Sequence, residues 1–103
     1  MEPGVHARTA ILMALIQGKG FGLELIDRVK DRTKGKIALH QGSVYPLLRA
    51  MEDEGLLKSW DDEPSDVRAG RPRRYYELTA EGLRAAREQS KTLAGLLKFA
   101  EVL

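Results

Sequence analysis

The sequence predicts a mainly α (α+β) domain, and three observations carry that prediction. Three stretches with apolar residues at helical spacing precede residue 56; two short extended stretches separated by a Pro- and Gly-containing segment follow; a long helix-forming tail closes the chain. With 103 residues there is material for one modest core and not for two. The expected division is a compact unit over 1–78 and a helical tail over 79–103.

A first helix is expected from His6 to Gln17, apolar at Ala7, Ala10, Ile11, Leu12, Met13, Ala14, Leu15 and Ile16, so it needs cover on several sides. Part of that cover is expected from a second subunit, over Ile11, Leu12 and Leu15. Gly18 and Gly20 stop this helix. Phe21, Leu25, Ile26 and Val29 mark one face of a second helix ending near Arg32, with Glu24, Asp27, Arg28 and Asp31 opposite. Residues 33–42 read as a turn around Gly35 and then a short extended piece carrying Ile37 and Leu39.

The third helix is expected to have Ser43 as its N-cap and Pro46 in its first turn, where a missing N–H costs nothing. Val44, Leu47, Leu48 and Met51 form its apolar stripe, and Gly55 ends it. Glu52, Asp53 and Glu54 then oppose the helix dipole, and nothing in the sequence explains them. Leu56–Trp60 and Arg73–Leu78 read as a hairpin whose long tip holds Pro64, Gly70 and Pro72. Thr79 caps the last helix, which runs from Ala80 nearly to Leu103, about 36 Å at 1.5 Å per residue. A weak heptad-like seam follows Leu83, Ala86, Ser90, Leu93, Leu97 and Ala100, with Leu96, Phe99, Val102 and Leu103 widening the apolar surface.

Composition narrows the function. The chain has no cysteine, which excludes a disulfide framework, thiolate metal sites and a cysteine nucleophile, and fits a reducing, cytoplasmic setting. The apolar run from Ala10 to Ile16 is too short to cross a bilayer and no cleavage pattern follows it, so no membrane association is expected. His6 and His40 have no metal-ligand spacing around them, and Ser43 lacks a triad context; no metal, no cofactor and no enzymatic activity are expected. Tyr75 and Tyr76 alternate, so one is expected in the core and one partly exposed, and Trp60 is expected to close the core.

Helix, helix, extended piece, helix, hairpin, helix is the order of a winged helix-turn-helix domain, whose third helix enters the DNA major groove while the hairpin tip lies on the backbone. Although the net charge is only +2, the charges are segregated. Arg28, Lys30, Arg32, Lys34 and Lys36 form one basic cluster, and Arg68, Arg71, Arg73 and Arg74 form another. Seven acids lie between Glu52 and Asp66. Arginine suits phosphate because its planar fork binds two oxygens at once. The candidate DNA-binding residues are therefore Lys34, Lys36, Gln41, Ser43, Tyr45, Arg49, Arg68, Arg71, Arg73 and Arg74, to which the resemblance described next adds Pro46. Arg49, pointing away from the apolar stripe, is the candidate for base edges.

Gln41-Gly-Ser-Val-Tyr-Pro-Leu-Leu48, Glu54-Gly-Leu-Leu57 and Gly70-Arg-Pro-Arg-Arg-Tyr-Tyr-Glu-Leu-Thr-Ala-Glu-Gly82 resemble the PadR family of bacterial regulators. Ile11-Leu-Met-Ala-Leu15 and Gly22-Leu-Glu-Leu25 extend the resemblance over nearly the whole chain, with Leu23 where the family usually has tyrosine. The resemblance is to the short branch, with a single C-terminal helix. It implies a winged-helix homodimer, usually a repressor, held together by that helix with help from the first, and released by a small hydrophobic or aromatic effector. It also implies that Tyr45 and Pro46 face the DNA backbone and that Tyr75 and Tyr76 belong to the second wing strand. The expected dimer interface is Ile11, Leu12, Leu15, Leu93, Leu96, Leu97, Phe99, Ala100 and Leu103. The expected function is sequence-specific binding of double-stranded DNA at a pseudo-palindromic operator. The alternatives are a winged-helix module that binds another protein, and a dimeric sensor of hydrophobic ligands.

Overall fold

A computed structural model describes residues 3–62 and 73–101. Its elements run α1 (Pro3–Ile16), β1 (Gly20–Phe21), α2 (Gly22–Arg32), α3 (Gln41–Asp53), β2 (Leu57–Asp61), β3 (Arg74–Leu78) and α4 (Ala80–Glu101). The strands form one antiparallel sheet in the order β1-β3-β2, with Phe21 opposite Tyr75 and Tyr75 opposite Trp60. This is a winged helix-turn-helix, α2 and α3 being the helix pair and β2–β3 the wing.

The core lies where the apolar stripes of the helices converge. Ile11, Leu25, Val44, Leu48, Met51 and Ala86 have no exposed surface, and Leu12, Leu15, Leu57 and Tyr76 close around them. Burying each large aliphatic side chain stabilises the fold by about 1.5–3 kcal/mol. Ile11, Leu12 and Leu15, expected at a subunit interface, are already covered within the single chain. They are 0%, 3% and 2% exposed within the single chain, because α2, α3, α4 and β3 already surround α1.

Residues 33–42 form the expected turn without joining the sheet, and a strand that the sequence reading does not include, Gly20–Phe21, lies on the other side of α2. The Thr33 hydroxyl holds the turn: it donates to the Val29 carbonyl at 2.8 Å and accepts from the Ile37 N–H at 3.1 Å, which curls the chain. Ile37 and Leu39 then pack singly against the core. Helix α3 also starts earlier than expected. His40 is extended, and its carbonyl accepts from Ser43 and Val44, so Ser43 is the third helical residue and not the N-cap. Pro46 accordingly lies inside the helix and removes the bond to the Gly42 carbonyl four residues back; both residues are exposed, so solvent reaches that carbonyl.

The helix ends show how backbone conformation follows from residue type. After α3, Gly55 takes φ +84°, and the Gly55 and Leu56 amides donate to the carbonyls of Glu52 and Met51, a Schellman closure. After α2 the same closure forms with Lys34 at φ +55°, and here a side chain occupies a conformation that glycine adopts without strain.

Thr79 caps α4, as the sequence leads one to expect. Its hydroxyl accepts from the Gly82 amide at 3.0 Å and donates to the Gly55 carbonyl at 2.6 Å. The first half of α4 belongs to the same core as residues 1–78, since Ala86 is fully buried, and Gly82 lies against the backbone of Leu56. The second half projects. The radius of gyration is 14.8 Å, against about 13 Å for a compact chain of about 100 residues. Trp60, expected in the core, instead lies half-buried on the outer face of the sheet, stacked on Tyr75. Tyr76 is in the core and Tyr75 is half-exposed, as the alternation requires. Among the described residues no helix is long and apolar enough to cross a membrane.

Two substitutions test this account by chemical denaturation. A methyl group at Gly82 would overlap the Leu56 carbonyl oxygen, so Gly82→Ala lowers stability by about 1–3 kcal/mol. Lys34→Gly relieves the left-handed residue and raises stability by about 0.5–1 kcal/mol.

Candidate nucleic-acid interface

With Val44, Leu48 and Met51 turned inward, the helical repeat leaves Gly42, Tyr45, Pro46, Arg49, Ala50 and Asp53 outward, all exposed. The stripe carries one cation, Arg49, flanked by the small apolar surfaces of Pro46 and Ala50. Gln41 and Ser43 stand exposed at its N-terminal end. Tyr45 is 41% exposed, and its ring lies directly on Gly22, the first residue of α2. Any side chain at position 22 would take the space of that ring. Gly22 thus fixes the aspect of Tyr45, a role that periodicity could not reveal.

The wing joins this stripe through its inner face. Ser59 donates to the Glu52 carboxylate at 2.7 Å, tying β2 to α3, and Arg74 pairs with Asp61 at 2.9 Å across the hairpin. Between them lies Tyr76, whose hydroxyl is pushed up chiefly by burial, with the charges of Arg74, Glu52, Tyr45 and Arg49 all acting on it. The hydrogen bond to Asp61 holds the Arg74 proton more firmly than usual.

These contacts also explain the acids at the end of α3. Glu52 receives Ser59, and Glu54 accepts two bonds from Arg8 of α1, which hold its carboxyl below the usual carboxylate range.

The candidate residues therefore separate. Gln41, Ser43, Tyr45, Pro46 and Arg49 are all exposed on α3, and Arg74 stands on the wing face that Ser59 ties to that helix. Arg73 lies on the opposite face of the wing, its guanidinium 4.7 Å from the Phe21 ring centre. Lys34 and Lys36 occupy the turn after α2, separated from Gly22 by the length of that helix, about 16 Å at 1.5 Å per residue. Arg68 and Arg71 lie outside the described residues, as does Leu103.

On the other side of the molecule α1, α2 and α4 enclose a groove of about 570 Å³, lined by Ala10, Met13, Val29, Ile37 and Leu93 with Arg28 and Arg32 among its walls. Beyond it Leu96, Leu97 and Phe99 are 57%, 65% and 73% exposed on α4, with Ala100 exposed beside them. Apolar side chains this open along a helix form a surface that water covers poorly.

Residues 11–88 match the model of the transcriptional regulator PadR-like family. Among solved structures, a transcriptional regulator from Clostridium thermocellum is similar with a TM-score of 0.77 at 22% identity, covering 96% of this chain and 90% of that one. A PadR family transcription regulator from Clostridium difficile gives 0.75 at 24% identity, with 93% and 95% covered. A PadR family transcriptional regulator from Eggerthella lenta gives 0.70 at 30% identity, with 94% and 84% covered. The chain belongs to the PadR-like family of transcriptional regulators: it is a winged-helix DNA-binding regulator and not an enzyme.

Proposed function

We propose that this chain acts as a homodimeric repressor, in which the α3 stripes of two subunits enter successive major grooves of a pseudo-palindromic operator, about 34–36 Å apart. The observation that carries the reading is the exposed stripe of α3 bearing Tyr45 and Arg49, tied through Ser59 and Glu52 to the wing face that carries Arg74. Arg49 reads base edges, and Pro46 and Ala50 beside it present apolar surface of the kind that packs on a thymine methyl group. Tyr45 and Ser43 offer hydroxyls, and Gln41 an amide, to the nearest phosphates. Arg74, Arg68 and Arg71 add wing contacts, with Arg73, Lys34 and Lys36 as outer contacts to the backbone. Acting on DNA, the protein works in the cytoplasm.

The dimer is built, in this reading, from the second half of α4. Leu96, Leu97, Phe99 and Ala100 of one subunit, with Leu103 beyond them, cover the groove that reaches Leu93 in the other. Their exposure and the groove's apolar walls support the pairing. A groove of that size also falls within the range of small-molecule pockets, about 300–1,000 Å³. A small hydrophobic or aromatic effector competing for it would alter the separation of the two α3 helices and so release the operator.

A selection and four substitutions test the reading. Selection from random duplexes should recover a two-fold-symmetric site, and Arg49→Gln should relax preference at one base pair of each half-site, costing about 1–3 kcal/mol there. Arg74→Gln should instead weaken all duplexes alike and make the dependence of log K on log salt shallower by about one. Gly22→Ala displaces the Tyr45 ring, so duplex affinity falls while the thermal midpoint does not, since alanine is the better helix former. In sedimentation, Leu97→Asp should shift the dimer toward monomer, and a wild-type chain that remains monomeric when bound to DNA would overturn the dimer.

A further inference from the structure

Besides its hold on α3 through Ser59, the wing is joined to the turn between α1 and α2. The turn between α1 and α2 contributes Gly20 and Phe21 to the sheet as β1, paired with Tyr76 and Tyr75. That turn is held from below by Arg28 of α2, whose guanidinium donates to the carbonyls of Ala14, Gly18 and Lys19 at 3.0, 2.9 and 2.7 Å. Glu24 completes the hold, accepting from the Phe21 amide at 3.3 Å while standing 3.7 Å from Arg28. A backbone segment gripped at four points cannot drift relative to α2.

On the outer face of the sheet the same turn reaches over the wing. Phe21, Tyr75 and Trp60 stand in register on three adjacent strands. The Phe21 and Tyr75 rings meet edge to face at 5.5 Å, and the Tyr75 and Trp60 rings stack at 6.1 Å. Above them the Lys19 ammonium lies 5.7 Å from the Tyr75 ring centre and 5.8 Å from that of Trp60, within the range of a cation–π contact to both. One lysine, anchored through its own carbonyl by Arg28, thereby bridges both wing strands next to the point where they leave the sheet for the tip.

We propose that Lys19 is a positioning residue for DNA binding: through Tyr75 and Trp60 it fixes the angle of the wing against α2 and α3 without itself meeting a phosphate. The inference rests on the DNA-binding reading above. Its geometric basis is that the Lys19 ammonium is seated over the Tyr75 and Trp60 rings on the outer face of the wing, whereas Ser59 and Arg74 occupy the face toward α3. Removing the cation leaves the strands paired but frees the hairpin to swing, so that wing arginines spend less time where the phosphates are.

The experiment exploits Trp60 as the sole tryptophan. Acrylamide quenching of its fluorescence is measured in the free protein, and duplex affinity is measured across a salt series, for the wild type, Lys19→Met and Lys19→Arg. For Lys19→Met the expected results are easier quenching, a loss of affinity of about two- to five-fold, the size of an exposed cation–π contact, and an unchanged salt slope. Lys19→Arg, which keeps a cation over the rings, should restore both quenching and affinity. A slope shallower by about one in Lys19→Met would make Lys19 a phosphate contact and overturn the proposal. So would unchanged quenching, or unchanged affinity alongside a binding wild type. A wild type that binds no duplex at low salt removes the DNA reading itself, and the proposal with it.

Discussion

Burial of a single stripe of α3 is the constraint on which the rest of the molecule depends. Val44, Leu48 and Met51 have no exposed surface, and an α-helix cannot bury positions 44, 48 and 51 without turning 42, 45, 46 and 49 outward. The candidate DNA-binding face is thus the geometric complement of the core. Its geometry depends on a helix held rigidly enough for its outward side chains to keep their spacing. The core supplies that rigidity because α1 packs against α2, α3, α4 and β3 together, and close packing leaves no room for one helix to rotate alone.

The wing is joined to this core by contacts that are individually modest and spatially well separated. Ser59 to Glu52 links β2 to the end of α3, Thr79 to Gly55 ties the start of α4 to the turn after α3, and Phe21 with Lys19 joins the outer face to the turn before α2. Three attachments in different directions fix an orientation where one would leave a hinge. The inner face carries the arginine that faces the same side as α3, and the outer face carries aromatic rings under a cation. Strand alternation enforces that division, and it is why Arg73 and Arg74, adjacent in sequence, have separate surroundings.

The C-terminal helix divides into two halves by the same logic of burial. Gly82 and Ala86 permit close approach to Leu56 and α1, so the first half completes the core. From Leu96 onward the large apolar side chains of the helix stand open among the described residues. An apolar groove on one side and an apolar helix on the other, in one molecule, are surfaces of matching chemistry.

Much of this was legible in the sequence because the signals are local. Apolar spacing placed all four helices, Gly55 and Thr79 marked their ends, and alternation at Tyr75 and Tyr76 told core from surface. These features depend on a residue and its near neighbours along the chain, so reading order suffices. What only the tertiary structure decided depends on residues far apart in sequence. Whether residues 20–21 or 37–39 join the sheet turns on which segment meets β3 and on one hydroxyl at Thr33. Whether Ile11 and Leu15 face a partner or their own chain turns on how many elements surround α1. The acids at 52 and 54, the glycine under Tyr45 and the lysine over Trp60 acquire their meaning from partners 7 to 46 residues away. Long-range partnership is a property of the folded packing, and no periodicity along the chain encodes it.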